Sequence, residues 1–248
     1  MCILALQFQT ARDAPVLIAH NREERFDRPS QGPKIQSGRP RVICGIDKKA
    51  GGTWLGVNQH GLVVAVANRP KRVVPPDPIS RGVLCRQLLT FNNAKDAAET
   101  AYAELRSGKY AGANYLCVDR NYAAVVYGGD YVELERLTPG LYLMTNGRVN
   151  DPDDARQRFL LRLLTLQRLD SAVTFLAVAS RAFARPADEQ GRWGVVLKNG
   201  QYGTVSSTLL SLTERPQSSI MQYASGPPSE NDYEDVSALL RQVLSSDR

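Results

Sequence analysis

The chain has 248 residues, of which 43% are hydrophobic and 23% are charged, which suits a single globular domain over residues 1–248. Its formal net charge of +6 is spread along the chain without a dense basic stripe, so no nucleic-acid partner is expected. No apolar run approaches the length of a membrane span and no secretory signal is visible, so we expect no transmembrane segment.

The first half of the chain is predicted to form short strands joined by turns. Residues 2–8 and 14–19 are apolar runs separated by polar residues, which predicts a hairpin. Residues 52–57 and 62–67 predict a second strand pair, because Gly61 in the turn between them can adopt a positive φ.

Helices are expected next, after a proline-rich stretch at 69–78 that predicts a loop. Ser80 and Asn93 are predicted to cap two helices, each with an apolar face. Strands then return. They are predicted at residues 114–118, 123–127, 131–134 and 141–145.

The last third of the chain predicts two helices, a strand pair and a closing helix. Asp151 is the predicted cap of the first helix, with Pro152 at its first position. Asn231 and Glu234 predict a capping box for the closing helix, which runs through Leu244. The remaining elements are a helix at 171–183 and strands at 202–212 and 218–223. This order predicts an α+β fold with mostly antiparallel sheets.

Cysteine and histidine usage bears on location and on metal binding. The cysteines are scattered and include no CxxC pair, which predicts reduced thiols in a cytoplasmic protein. His20 and His60 are too few for a multi-histidine centre, so we expect neither a metal site nor a catalytic cofactor. The cysteines are Cys2, Cys44, Cys85 and Cys117.

Positive charge is densest in two short groups, Arg39-Pro40-Arg41 and Arg69-Pro70-Lys71-Arg72. A solvated surface is the simpler interpretation of such groups. The alternative is a positive rim that attracts a small anionic ligand to a binding site.

Cys2 can supply both a nucleophile and a base. Methionine aminopeptidase removes Met1 efficiently when the second residue is small, and this would leave Cys2 with a free α-amine. The α-amine titrates near about 7.7–8.0 and a thiol near about 8.5, so one residue would carry both functions. The alternative is a cysteine that only packs in the first strand.

The charged segment 20–29 directly follows an apolar strand. Arg22 would lower the pKa of a nearby thiol, and Glu23 could orient an ammonium group. The alternative for this segment is a solvated turn.

Three further positions complete the set of candidate residues. The pair Gly51-Gly52 before Thr53 and Trp54 lets a backbone pass close to a ligand or another strand, or forms a bulge. Asn68 and Asn146 each end a predicted strand. An asparagine there can donate to a developing oxyanion or simply form a turn.

Together these motifs resemble the NRDE family, the family of the transport and Golgi organisation protein 2. The resemblance covers nearly the whole chain. It is carried by Cys2, Asn21-Arg22-Glu23-Glu24, Gly51-Gly52-Thr53-Trp54-Leu55-Gly56, Asn68, Thr145-Asn146 and Tyr202-Gly203-Thr204. The family is in turn similar to the cysteine N-terminal-nucleophile (Ntn) hydrolases of the penicillin V acylase and bile-salt hydrolase type. The likeness implies an Ntn hydrolase-like four-layer αββα sandwich.

The resemblance implies a role for each matching residue. Cys2 would be the nucleophile and its amine the base, while Glu23 would hold the amine in place of the Asp of those enzymes. Asn68 would donate to the oxyanion, and Asn146 would bind the tetrahedral intermediate or the substrate. The resemblance also implies a set of pocket residues, namely Asn21, Arg22, Thr53, Trp54 and Thr204.

Two positions depart from the family pattern. Glu23 stands where the family has Asp, and the extra methylene moves the carboxylate by about a bond length, enough to cost roughly a hundredfold in rate. Val205 stands where the family has an Arg late in the chain. Arg22 or Arg215 could replace that cation beside Cys2.

Three functions follow as hypotheses. The first, implied by the family likeness, is trafficking of an amphipathic cofactor between donor and acceptor proteins. The cargo would be haem, and the candidate axial ligands are His20, His60 and Cys2. The second hypothesis is Cys2-dependent hydrolysis of amide or thioester bonds in amphipathic acyl substrates. The third is a non-catalytic interaction scaffold, because a fold does not determine a function.

Overall fold

The computed structural model describes residues 2–188 and 194–245, and its strands form two antiparallel sheets. The strands in chain order are β1 (Ile3–Phe8), β2 (Val16–Arg25), β3 (Ser30–Gln36), β4 (Val42–Asp47), β5 (Leu55–Asn58), β6 (Val63–Asn68), β7 (Ala113–Val118), β8 (Ala123–Gly128), β9 (Val132–Arg136), β10 (Gly140–Met144), β11 (Lys198–Asn199), β12 (Tyr202–Leu212), β13 (Ile220–Ala224) and β14 (Glu234–Asp235). The helices are α1 (Arg81–Leu88), α2 (Ala94–Arg106), α3 (Ala155–Leu164), α4 (Ala172–Phe183) and α5 (Ser237–Leu244).

The chain divides into two compact units, and the first contains the N-terminal strands. This unit consists of the residues up to Asp27 together with Pro139–Ser237. Its sheet has the order β10-β1-β2-β12-β13-β14, and β11 pairs with β12. Alternate residues of β1 and β2 pack with α3 and α4, as the two-residue period of a strand requires. This core includes Ile3, Ala5, Leu17, Ala19, Leu160, Leu164, Phe175 and Phe183.

The second unit consists of Arg28–Thr138 with the residues from Ala238 onward. Its sheet is a meander in chain order from β3 to β9. Helices α1 and α2 bury their apolar stripes against strands β6, β7 and β8. This core includes Val64, Val66, Leu84, Leu88, Ala97, Ala101, Tyr115 and Val126.

Helix caps account for several of the predicted boundaries. The side chain of Asn93 accepts a hydrogen bond from the Asp96 N–H at the start of α2, and Ser171 accepts one from Thr174 at the start of α4. Ser80 precedes α1 as predicted, although its side chain makes no capping hydrogen bond. The α+β fold with antiparallel sheets is therefore confirmed at the level of its elements.

Two predicted helix starts are wrong. Helix α3 begins at Ala155 with Asp154 as its cap, since the Asp154 carboxylate accepts from two backbone N–H groups of the first turn. The expected capping box at Asn231 does not form, because Glu234 lies in β14, paired with Tyr223, and α5 begins only at Ser237.

Three strands in and after the charged segment differ from the prediction. Strand β2 continues through Arg25, so residues 20–25 form a strand rather than a solvated turn. Strand β12 covers this part of β2, with Ser206 opposite Arg22 and Thr204 opposite Glu23. Strands β3 and β4 were not predicted. Strand β3 is a polar edge strand, partly exposed throughout, and so lacks an apolar alternation.

Gly45→Ala in β4 is expected to destabilise the second unit by about 1–3 kcal/mol, the cost of overpacking a filled core. A Cβ at Gly45 would lie 2.3 Å from Cζ2 of Trp54 and 3.1 Å from the Gln31 carbonyl oxygen. Urea unfolding measures the effect. Combining Gly45→Ala with Trp54→Leu removes the clashing ring atoms, so the double-mutant cycle should show a favourable coupling. Strictly additive costs would contradict this account of Gly45.

No helix in the described part of the chain is both long enough and apolar enough to cross a membrane. Within residues 2–188 and 194–245, no three His, Cys, Asp or Glu side chains form a group that could hold a metal ion.

Candidate active site at Cys2

Strand pairing in the first unit places several polar residues around Cys2. Cys2 immediately precedes β1, whose residue Ile3 pairs with Asn21 and whose residue Leu4 pairs with both His20 and Met144. Since β1 and β2 are antiparallel, the start of β1 lies beside the part of β2 that carries the charged segment. Asn146 follows the end of β10 at this same end of the sheet.

The Cys2 thiol is held against the backbone of β2. Cys2 is partly buried, and the Glu23 backbone N–H is hydrogen-bonded to the thiol sulfur. Burial raises the pKa of the Cys2 thiol, while the Glu23 N–H and the Arg22 guanidinium both act to lower it. Arg22 itself is buried, at 5% exposure. It thus supplies positive charge near the thiol, in agreement with the role expected for it from its position in the sequence.

Glu23 forms a buried, two-pronged ion pair with Arg156 of α3. Nη1 of Arg156 donates to Oε2 of Glu23 at 3.0 Å, and Nη2 donates to Oε1. The Glu23 side chain is fully buried, and that of Arg156 is 20% exposed. Burial raises the pKa of the Glu23 carboxyl, and Arg156 opposes that rise. The carboxylate is therefore fixed in one place by a planar guanidinium.

The start of α3 fixes the position of Arg156. Asp154 accepts hydrogen bonds from the N–H groups of Arg156 and Gln157, and the Thr145 hydroxyl donates to Oδ2 of Asp154 at 2.7 Å. Gln157 in turn donates to the Thr145 hydroxyl at 2.8 Å. Burial alone would raise the pKa of Asp154, but these hydrogen bonds hold it below its usual value. One network therefore ties the turn that carries Asn146 to the helix that carries Arg156.

Two asparagines near Cys2 have an unsatisfied amide oxygen. Within the described residues, Oδ1 of Asn21 and Oδ1 of Asn146 are buried without a hydrogen-bond partner. The amide nitrogen of Asn21 donates to the Phe183 carbonyl at 3.0 Å, so that side chain points towards α4. A buried acceptor without a partner costs free energy, about 1–3 kcal/mol, and such groups are candidates for ligand binding.

His20 is also buried and unsatisfied. It is 1% exposed, and within the described residues neither ring nitrogen has a hydrogen-bond partner. Burial, reinforced by the charge of Arg22, lowers the pKa of His20 to about 3. The imidazole is therefore neutral at physiological pH. Its neighbours across the strands are Leu4 and Thr208.

Strand β12 closes the other side of the charged segment. Thr204 is buried, and its hydroxyl oxygen accepts a hydrogen bond from the Leu197 N–H at 2.9 Å. Val205 lies at an irregularity where the pairing with β2 shifts between Thr204 and Ser206. Arg215 lies beyond the opposite end of β12, roughly 30 Å from Thr204 at about 3.3 Å per residue. Arg215 is therefore not the cation beside Cys2.

The remaining predicted residues lie in the second unit. Thr53 and Trp54 are buried just before β5, where the Thr53 hydroxyl donates to the Leu55 carbonyl at 3.1 Å. Asn68 is the last residue of β6 and is exposed. His60 is exposed in the turn between β5 and β6.

Arg156 was not predicted as a functional residue. A cation in the first turn of a helix opposes the helix dipole, and such a residue therefore indicates a tertiary partner. This was the one signal in the sequence that could have identified it. The family likeness instead places a cation on the late strand, where Val205 stands.

Arg22→Gln is expected to raise the pKa of the Cys2 thiol, because it removes a positive charge that favours the thiolate. Alkylation of Cys2 by iodoacetamide should slow at pH 7, by less than about tenfold, and its pH profile should move to higher pH. Intact mass can follow the reaction because Cys44, Cys85 and Cys117 are buried.

Arg25→Gln on the same strand is the control, since Arg25 is exposed and pairs with Asp27 at 2.8 Å. It should leave the profile unchanged. An unchanged profile in Arg22→Gln would show that Arg22 does not act on the thiol.

Comparison with solved structures identifies the fold as that of the Ntn hydrolases. A penicillin V acylase from Agrobacterium tumefaciens superposes with a TM-score of 0.53 and 14% identity, over 90% of this chain and 83% of the acylase. The Caenorhabditis elegans N-acylethanolamine-hydrolyzing acid amidase ortholog superposes with a TM-score of 0.54 and 13% identity, over 85% of this chain and 92% of the amidase. The C2A mutant of the conjugated bile acid hydrolase from Clostridium perfringens superposes with a TM-score of 0.52 and 12% identity, over 96% of this chain and 93% of the hydrolase. The predicted Ntn hydrolase-like fold is thereby confirmed.

The chain belongs to the Transport and Golgi organisation 2 family, whose model matches residues 1–223. The mouse Transport and Golgi organization 2 homolog is 30% identical over 167 residues. The human homolog is 27% identical over 164 residues. Each match spans 61% of this chain and 59% of the relative, so it covers less than two thirds of either protein.

Proposed function

We propose that this protein is a cysteine Ntn hydrolase that cleaves an amide or thioester bond in an amphipathic acyl substrate. One observation carries the proposal. The Cys2 thiol lies against the Glu23 N–H, and the Glu23 carboxylate is fixed by Arg156 in a buried ion pair. Glu23 thus contributes both the N–H that contacts the thiol and a fixed, buried carboxylate, which is more than the packing of a first strand requires.

Removal of Met1 precedes the proposed reaction, because it frees the α-amine of Cys2. The α-amine of Cys2 accepts the thiol proton, and the sulfur attacks the substrate carbonyl to form a tetrahedral oxyanion. The ammonium returns the proton to the leaving amine or thiolate as the C–N or C–S bond breaks. Water then attacks the acyl-cysteine with the amine as base, which releases the carboxylic acid and restores the thiol.

Glu23 and Arg156 position the base in this scheme. The Glu23 carboxylate would stabilise the transient ammonium, and the two hydrogen bonds from Arg156 prevent it from changing rotamer. The longer side chain of Glu, compared with the Asp of the family motif, is therefore held by a partner. The amide N–H of Asn146 would donate a hydrogen bond to the oxyanion or to the substrate carbonyl.

The geometry favours hydrolysis over haem trafficking. The trafficking role stays a prediction. His20 has unpartnered ring nitrogens but is 1% exposed within the sheet. His60 is exposed on a turn of the second unit. The cytoplasmic location and the scaffold role also stay predictions.

Intact-mass spectrometry on wild type and Cys2→Ala tests the proposal. Both proteins are incubated with a p-nitrophenyl acyl ester, and both are titrated with haem in parallel. We expect wild type to lack Met1 and to gain one acyl group, while Cys2→Ala gains none. Neither protein is expected to bind haem stoichiometrically. Cys44→Ala is the control, because Cys44 is buried in β4, and it should acylate like wild type.

Other outcomes would overturn the proposal. Equal acylation of wild type and Cys2→Ala would exclude Cys2 as the nucleophile. Retention of Met1 would remove the base. Stoichiometric haem binding to both proteins without an acyl adduct would instead support trafficking.

A further inference from the structure

A polar pocket of about 690 Å³ lies in the second unit, where no role has been assigned. It is formed by the loop between β3 and β4, the turn between β5 and β6, and the residues that follow α1. Its polar lining includes the side chains of Ser37, Arg39, Arg41 and Asn92. Its volume is that of a small-molecule site.

The charge of this pocket has one sign. Arg39 and Arg41 both line it, and none of its lining residues is an Asp or Glu. Within the described part of the chain, Arg39 makes no ion pair, so its guanidinium is available to a ligand. This is one of the two basic groups that the sequence singled out.

The backbone around Arg41 is held in place. Its N–H donates to Oε1 of Gln59 at 2.7 Å, and the Gln59 N–H donates back to the Arg41 carbonyl at 2.9 Å. The Asn58 carboxamide oxygen accepts from the N–H groups of His60 and Leu62. The loop that carries the arginines is therefore joined to an ordered turn, and the pocket wall is formed before a ligand binds.

We propose that this pocket binds a compact polyanion that carries phosphate groups. The guanidinium of Arg39 offers paired N–H donors that match phosphate oxygens, and Arg41 adds a second positive charge on the other side of Pro40. The hydroxyl of Ser37 and the amide of Asn92 add neutral donors around them. The ligand is either a soluble phosphate compound or the phosphorylated headgroup of a lipid, since both present the same chemistry.

Isothermal titration calorimetry with inorganic pyrophosphate tests the site on the full-length protein. We expect saturable binding at one site that weakens as salt rises, because both arginines are exposed. Arg39→Gln with Arg41→Gln should weaken binding at least tenfold. Arg39→Lys with Arg41→Lys should retain part of the affinity, since the charge remains but the fork geometry is lost.

Lys48→Gln with Lys49→Gln is the matched control. It removes two exposed positive charges at the other end of β4 and should leave the affinity unchanged. Cosedimentation with phosphatidic acid vesicles separates the two sources, because binding to vesicles but not to pyrophosphate identifies a headgroup site. Equal losses in the Lys48/Lys49 and Arg39/Arg41 variants, or no binding to either probe, would overturn the proposal. The test does not depend on Cys2, so it is independent of hydrolase activity.

Discussion

Arg156→Met is expected to lower the free energy of unfolding by about 3–5 kcal/mol, the usual cost of removing one partner from a buried ion pair. The change leaves the fully buried carboxylate of Glu23 without its counter-charge. It also removes the hydrogen bond from Arg156 to the Val195 carbonyl. Urea unfolding at pH 7.5 measures the loss. Arg158→Met is the control on the same helix. Because Arg158 is exposed, this change should alter the free energy of unfolding by less than about 0.5 kcal/mol.

The pH dependence of this loss follows from the pKa of Glu23. Burial already raises that pKa in the folded protein, and Arg156 limits the rise, so Arg156→Met should raise it further. A carboxyl whose pKa is higher in the folded state than in the unfolded state binds more protons when the protein is folded. Its contribution to the free energy of unfolding therefore falls as the pH rises from the unfolded-state pKa to the folded-state pKa. The gap between wild type and Arg156→Met should therefore be smaller near pH 4 than at pH 7.5. A gap independent of pH would show that Glu23 is not the affected group.

Replacing both partners separates charge from packing. Glu23→Leu combined with Arg156→Met removes the buried carboxylate together with its cation, and apolar replacements of buried ion pairs are often neutral or stabilising. We expect the double variant to recover most of the lost stability. Under the proposed mechanism it should nevertheless remain inactive, because no carboxylate is left to hold the amine of Cys2. Recovered stability with retained acylation would show that the ion pair is structural only.

The fold was largely predictable because its strands carry local signals. Strand β1 and the first part of β2 are continuous apolar runs, and the turn before β6 contains Gly61 at φ +77°. Strand β3 carries no such signal, because Pro33 and polar side chains suit an edge that is exposed on one side. The charge of residues 20–25 left a solvated turn open as an alternative, and pairing with β12 makes them a strand despite that composition.

The site was only half predictable, for a different reason. Cys2 and Glu23 carry chemistry that is visible from residue type and position. Arg156 is 133 residues from Glu23 in sequence, and only the packing of α3 brings the two together. Its helix was also predicted to start too early, at Asp151 rather than after Asp154, which concealed that Arg156 lies in the first turn. A tertiary partner of this kind has no local signature beyond its misfit with the helix dipole.

Asn146→Ala is expected to lower kcat of the proposed acyl transfer by about 10²–10³-fold, the typical effect of removing one oxyanion donor. The amide oxygen of Asn146 is buried without a partner among the described residues, so this side chain is not committed to holding the fold. The free energy of unfolding should therefore change by less than about 1 kcal/mol, and KM should change little.

Asn146→Asp sharpens this test, because a carboxylate has the same shape but cannot donate a hydrogen bond when ionised. Its kcat should fall at least as far as that of Asn146→Ala. Asn199→Ala, at an exposed position of β11, is the control and should behave as wild type. Burst kinetics with a p-nitrophenyl ester separate acylation from deacylation in each variant. If the acylation rate of Asn146→Asp equals that of wild type, Asn146 does not bind the oxyanion, and another residue must supply the donor. Loss of the burst in Cys2→Ala alone would keep the nucleophile assignment intact, so the two assignments can fail separately.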